Sequence, residues 1–496
     1  MVERLSESVL GRLPACVERP AYDRGAVRTG IVHLGIGAFH RAHQAVYTDA
    51  VLAAGDRRWG ICGVSLRSPA TRDALGPQDG LYTLAVRSGE GERLRVVGAV
   101  RELLVAPEQP EALLARLCAA DTRIVSLTVT EKGYCHDPAT GNLDGNHPDI
   151  RHDLAEGSAP RSAPGLLVEA LRRRRAEGLE PFTVLCCDNL PENGATVGRI
   201  VAQLAGLRDP ALGRFVREEV AFPCTMVDRI VPATTDADRA AVDAALGAVD
   251  AWPVVAEPFS QWVIEDRFPA GRPAWEEHGA MLVEDVRPFE HMKLRCLNGA
   301  HSSIAYLGFL AGHETVADAM ADADLARFIG QLWAEELVPS VPPPPGVDLA
   351  DYTAALARRF ANPALRHRTA QIAMDGSQKL PQRLLAPARD LLAKGRQVRH
   401  IALAVAAWMR FVSGRDEVGR PIELSDPLAG RLRAIAEEAG PVAGRLAPAL
   451  LAVREVFEPA LADDPRFRDQ VSTALGRLLE QGVRRTLAEA GGAHVD

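Results

Sequence analysis

A chain of 496 residues exceeds the usual reach of one hydrophobic core, so two domains are expected. With 47% apolar and 25% charged residues and a formal net charge of -8, the composition is globular and lacks the basic excess that a nucleic-acid backbone requires; Arg172 to Arg175 reads as a solvated helix face. Neither a signal-peptide core nor a run of about 20 apolar residues occurs, which gives the expectation of a cytoplasmic protein without membrane contact.

From Ile31 to about Pro232, short β-branched runs alternate with helical patterns, the signature of parallel βαβ units. Strands are predicted at Ile31 to Leu34, Trp59 to Leu66, Arg123 to Thr130 and Phe182 to Asp188, with helices including Gln44 to Ala54 and Gly165 to Glu177. Near-continuous apolar character suits strands covered on both faces. Leu81 to Arg87 and Arg93 to Val100 flank a Gly/Glu turn and alternate as a hairpin does. After about Val286 the strand-like runs give way to Ala/Leu/Arg-rich helical patterns. The prediction is an α/β fold: a Rossmann-like domain over residues 1–285, then a mainly α-helical domain over 286–496. The Pro-rich stretch Val338 to Val347 reads as a rigid connector inside the second domain. Eight scattered cysteines, none in CxxC spacing, point to reduced structural thiols and give no zinc signature.

Directly after the first strand comes Gly35-Ile36-Gly37-Ala38-Phe39-His40. Gly35 and Gly37 permit a tight turn and a close backbone approach to a pyrophosphate, with a helix N-terminus at Ala38 and Phe39 aimed at its charge. The third glycine of the dinucleotide fingerprint is missing, and an ordinary strand-turn-helix shares the spacing that remains. The second strand ends in Ser65-Leu66-Arg67 without the carboxylate that favours NAD, and Arg67 suits a 2′-phosphate, so NAD and NADP both stay open on this reading.

The densest polar cluster in an apolar context is Glu290-His291-Met292-Lys293-Leu294-Arg295-Cys296-Leu297-Asn298-Gly299-Ala300-His301. On an α-helix, Lys293, Asn298 and His301 fall within an arc of roughly 140° at about 100° per residue. A buried lysine there has its pKa lowered by desolvation and suits proton exchange with a substrate hydroxyl. An amide beside it steadies a developing alkoxide, and an imidazole fixes a neighbouring hydroxyl. Asn189, after the strand ending at Asp188, reads as a buried-strand amide at the carboxyl edge where α/β enzymes bind ligands. Other chemistries lack their marks: no Tyr is followed four positions later by Lys, and HExxH, Gly-x-Ser-x-Gly and GxxxxGK are absent.

Gly35 to Gln44, Thr130-Glu131-Lys132-Gly133-Tyr134, Cys187-Asp188-Asn189, Val227 to Pro232 and the Lys293/Asn298/His301 set together resemble the polyol-specific long-chain dehydrogenases, the mannitol dehydrogenase family, over nearly the whole chain. The resemblance implies a Rossmann domain followed by a helical domain, NAD as cofactor, a small sugar-acid or polyol substrate, no metal, and a monomer or weak homo-oligomer. It further implies Lys293 as acid/base, Asn189 and Asn298 on the reacting oxygen and His301 on the substrate. Thr130, Glu131 and Asp228 join Gly35, Gly37, Ala38 and Phe39 at the cofactor by the same analogy, and Glu290 assists proton movement.

Within the family, Thr128 to Cys135, Phe222 to Arg229 and Arg366 to Arg383 are similar to the branch that interconverts D-fructuronate and D-mannonate. Gln371 stands where mannitol 2-dehydrogenases carry a substrate-contacting arginine. The implied substrate set is Lys132, Arg229, Glu290, Arg366, Gln371 and Lys379, with Arg368 and Arg383 as further cations for a carboxylate. The alternatives are a mannitol or arabinitol dehydrogenase of this family and, from another class, a nicotinamide-binding regulator without turnover.

Overall fold

The computed structural model describes residues 3–137, 140–155 and 157–490, and the chain divides into two compact units, Met1–Arg287 and Pro288–Asp496. In the first, β1 (Thr29–Leu34), β2 (Gly60–Ser65), β5 (Val100–Val105), β6 (Ile124–Leu127) and β7 (Thr183–Cys186) form one sheet in the order β5-β2-β1-β6-β7. Every neighbouring pair is parallel. All six residues of the central β1 are buried, because both faces of the sheet are covered. Val32, Leu34, Val125 and Val184 share one core with Leu167 and Leu171 of helix Ala163–Ala176 and Val197 and Ile200 of helix Asn193–Arg208. On the opposite face Ile31, Ile61, Ile124 and Leu185 pack with Val51 and Leu52 of helix Gln44–Ala54 and with Trp59, Trp262 and Trp275.

Leu34 pairs with Val64 on one side and Leu127 on the other, so these strands reach their carboxyl ends at one level. The predicted strands to Thr130 and Asp188 stop early, at Leu127 and Cys186, since the residues beyond them turn out to build the sheet edge. The hairpin is present as β3 (Tyr82–Ser88) and β4 (Gly91–Val97). Its second arm ends sooner than predicted at Gly98, where a Cβ would stand 2.6 Å from Pro20 Cγ, and the chain swings back into the main sheet as β5. Two small sheets complete the unit: β9 (Val254–Ala256) runs parallel to β3, while β10 (Gln261–Glu265) pairs with β8 (Thr225–Asp228) and β11 (Met281–Val283).

The second unit is helical throughout its named elements. Helix Arg399–Val412 is buried nearly all round, as an Ala-rich central helix must be, and Ala300–Leu310 and Pro465–Ala490 pack on it. Among the described residues three stretches are π-helical: Lys293–Gly299, Leu332–Leu337 and Pro381–Leu385. The first and third meet backbone to backbone, for a Cβ on Gly299 would lie 2.8 Å from the Arg383 carbonyl oxygen. Among the described residues, no helix is long and apolar enough to cross a membrane.

Candidate active site

The two glycines after β1 serve different ends. Gly35 has φ +92°, and a Cβ there would fall 2.2 Å from the Thr128 carbonyl oxygen, so the neighbouring strand end requires a glycine. Gly37 is exposed at φ -89°, and its nearest neighbour would be the Gly35 oxygen at 3.8 Å. Nothing in the protein's own packing demands a glycine at 37, and the open space above it fits a closely approaching dinucleotide phosphate. Helix Ala38–Ala42 begins there, with Ala38 and Phe39 half-buried in its first turn. The third fingerprint position is His40, whose ring stacks on His33 of β1 with centroids 3.4 Å apart. Two imidazoles thus replace the close helix-strand contact of a glycine. His33 also hydrogen-bonds Ser126 and Thr128, both at 2.8 Å. Desolvation keeps both rings uncharged, bringing His33 down to about 3 and His40 well below the ordinary imidazole value. Arg67 is exposed beyond β2.

The turn after β6 is strained and braced. Thr130, a β-branched residue, has φ +66°. Asp188 holds it there by accepting the N–H of Val129 at 2.8 Å and of Thr130 at 3.1 Å, and the Tyr134 hydroxyl at 2.6 Å. Burial raises the Asp188 pKa against the pull of these three bonds. Thr130, Glu131 and Lys132 stand exposed on the turn so formed. Asn189 is exposed as well, which corrects the expectation of a buried-strand amide: β7 ends before it. The buried amide is Asn193, whose Nδ2 donates to the carbonyls of Asp188 and Thr225 and whose Oδ1 accepts the Thr225 N–H, tying the end of β7 to the start of β8. Asp228 lies buried at the end of β8. Arg229, expected at the substrate, instead braces the fold. Its Nε and Nη2 donate to the Glu257 carbonyl at 3.0 and 2.8 Å, its Nη1 to the Ala42 carbonyl, and burial lowers its pKa to about 10.

In the helical unit Lys293, Asn298 and His301 are 7, 7 and 8% exposed. The helix carrying the first two is π rather than the α-helix expected, and the wider turn of an i→i+5 ladder narrows the angle of roughly 140° that would separate them on an α-helix. His301 Nε2 is buried and has no hydrogen-bond partner. Its ring stacks on Phe360 at 5.1 Å and meets His367 edge-on at 4.8 Å. Desolvation puts its pKa well below the ordinary value, helped by the charges of His367, Arg383, Arg359 and Lys379. His367 is lowered to about 4, by burial and then by Lys379. Lys379 Nζ donates to the carbonyls of Ile372 at 3.2 Å and Met374 at 2.6 Å, and Arg383 Nη1 to Ser302 Oγ at 3.1 Å. A neutral imidazole with an open nitrogen therefore lies in the field of Arg383, Arg359 and Lys379. Glu290 is half-buried on the turn before Lys293, whereas Arg366, Arg368 and Gln371 are exposed and Arg368 lies 3.6 Å from Glu314.

Sequence reasoning named Lys379 and Arg383 but missed the imidazole of His367, although its motif was in view. It also missed Arg359, which beside Arg358 reads as a solvated pair, and the bracing work of Asp188 and Asn193.

Strand order and the opening above Gly37 place the N-terminal unit in the Rossmann class of dinucleotide-binding folds. Residues 29–277 match the mannitol dehydrogenase Rossmann domain and residues 285–479 the mannitol dehydrogenase C-terminal domain. The chain is 48% identical over 477 residues to the uncharacterized oxidoreductase YeiQ of Escherichia coli K12, covering 96% of this chain and 97% of that one. It is equally 48% identical over 478 residues to the D-mannonate oxidoreductase of the same organism, covering 95% and 98%. Among solved structures, the Pseudomonas fluorescens mannitol 2-dehydrogenase in ternary complex with NAD and D-mannitol superposes with a TM-score of 0.91 at 39% identity, covering 99% of this chain and 100% of that one. The chain belongs to the mannitol dehydrogenase family and is an oxidoreductase.

Proposed function

We propose that this protein is a cytoplasmic, NAD-dependent fructuronate reductase that interconverts D-fructuronate and D-mannonate. The observation that carries the acid substrate is the buried His301 nitrogen in the field of Arg383, Arg359 and Lys379. Cations gathered around an open polar site favour a carboxylate, and a guanidinium offers it paired donors. The likeness to a D-mannonate oxidoreductase supports the same reading.

NAD(H), when bound, supplies the hydride acceptor or donor. Lys293, buried, takes the hydroxyl proton during oxidation and returns it during reduction. Asn298 and Asn189 donate to the reacting oxygen and steady its negative charge. His301, neutral, holds a neighbouring substrate hydroxyl, Lys379 and Arg383 take the carboxylate, and Glu290 passes protons onward. Gly35, Gly37, Ala38 and Phe39 seat the cofactor phosphates, with Thr130, Glu131 and Asp228 completing its contacts. Lys132, Arg366 and Gln371 border the substrate.

The second reading is a mannitol 2-dehydrogenase, favoured by the likeness to that enzyme's complex. Initial rates on fructuronate, tagaturonate, fructose and mannitol, each with both nicotinamide cofactors, separate the two. Fructuronate with NADH is expected to exceed fructose by far, and an equal or reversed preference rejects the assignment.

A further inference from the structure

Three donors of unlike chemistry meet apart from the residues assigned to cofactor and substrate: the Cys135 thiol, one imidazole nitrogen of His147 and the Asp149 carboxylate, with their ligand atoms all within 4.8 Å of one another. Backbone bonds create this meeting. Cys135 follows the 3-10 turn Glu131–Tyr134 in a left-handed conformation, φ +51°, that non-glycine residues seldom adopt. Asp137 N–H donates to the Asn142 carbonyl, Asp144 N–H to the Cys135 carbonyl and His147 N–H to the Asp144 carbonyl at 2.9, 2.9 and 3.0 Å. His147 stands at the start of helix Pro148–Leu154; its Nδ1 lies 3.8 Å from Asp149 Oδ2 and presents its lone pair to the Asp149 N–H at a long 3.2 Å.

The surroundings favour a cation. Cys135 is buried, and the carboxylates of Asp144, Asp149 and Asp153 all bear on its sulfur, opposed by Arg67. Tetrahedral bonds of about 2.0 to 2.3 Å set ligand atoms about 3.5 Å apart, so closing this set takes movements of about an ångström. One thiolate, one imidazole and one carboxylate, with water in the fourth position, suit zinc better than magnesium or calcium, which take oxygen donors.

We propose that Cys135, His147 and Asp149 form a zinc site that pins the end of the Glu131–Tyr134 turn to the start of helix Pro148–Leu154. Zinc binds sulfur and nitrogen in place of the thiol proton, which passes to solvent, and in place of the long Asp149 N–H contact. The site is structural: it steadies the turn carrying Thr130, Glu131 and Lys132 and takes no part in proton transfer at Lys293.

The test uses the full-length protein stripped with a strong chelator and titrated with zinc against a chromophoric chelator. Wild type is expected to take up one equivalent and to melt at a higher temperature with zinc. C135S and D149N should each bind at least about tenfold more weakly, 1.4 kcal/mol, without the melting shift. Cobalt in place of zinc should give a sulfur-to-metal charge-transfer band that C135S lacks. Because His147 also shapes a helix start, these two conservative variants carry the test. No zinc uptake by wild type, or uptake undiminished in both variants, overturns the proposal. Neither result bears on the substrate assignment, which the rate comparison decides separately.

Discussion

The two units prepare chemistry in opposite ways. In the N-terminal unit the outward groups at the sheet edge, Gly37, Thr130, Glu131 and Asn189, are exposed, and their positions are enforced from beneath by Asp188, Asn193 and Arg229. In the C-terminal unit the groups proposed for the chemistry, Lys293, Asn298 and His301, are buried, the first two on a helix whose winding departs from α. A surface made of backbone and turns suits a large cofactor recognised through its phosphates, while an interior made of side chains suits a proton transfer that water would disturb.

Substitution of Lys293 should break the contrast most sharply. K293A is expected to lower kcat by about 10² to 10⁴-fold, with NADH affinity retained in a fluorescence titration. An equal loss in both measurements would make the lysine a packing residue.

Acid should next show a property the two units share, two uncharged imidazoles each: His33 and His40 in one, His301 and the half-buried His367 in the other. All four are depressed in the folded state, so the unfolded chain takes up protons first as pH falls. Stability is therefore complete above the unfolded value of about 6.5 and declines below it, by about 1.4 kcal/mol per pH unit for each ring. The decline continues to about 4 for His367 and about 3 for His33. Denaturant midpoints measured from pH 7 to 4.5 should fall steeply, and H367N should make the slope shallower.

Paired glycine substitutions sharpen the contrast. G299A drives a methyl into the Arg383 carbonyl and should cost about 1 to 3 kcal/mol of stability, read from the melting curve. G37A meets no protein atom closer than 3.8 Å and should leave melting unchanged while weakening NADH binding roughly tenfold. The smallest effect is expected from D188N, which loosens the support of the strained Thr130 turn: KM for NADH should rise a few-fold with kcat nearly constant.

The same difference between the units decides how much was legible in the sequence. Strands β1, β2, β6 and β7 announce themselves because burial on both faces writes continuous β-branched runs. The three-residue strands β9 and β11 are too short for any periodicity to accumulate, and β5 merged with the hairpin because Gly98 and Ala99 are its sole punctuation. The Asn189 error arose at a boundary: with β7 ending at Cys186 rather than Asp188, the edge amide stands exposed on the turn instead of buried at a strand end. In the helical unit Lys293, Leu294, Arg295 and Leu297 are ordinary helix formers, so composition conveys the helix and hides its winding. The Cys135, His147 and Asp149 meeting was invisible because backbone bonds from Asp144 to Cys135 and from His147 to Asp144, rather than a repeated spacing, bring them together.

A π-helical segment holds one residue more per hydrogen-bonded ring than its α-helical counterpart, and that surplus behaves as a phase setting. Were the same residues of Lys293–Gly299 to rewind to an i→i+4 ladder, the stretch before them would swing round against helix Ala300–Leu310. Helix content would survive, yet the amine at 293 and the amide at 298 would stand roughly 140° apart and no longer answer to the same direction.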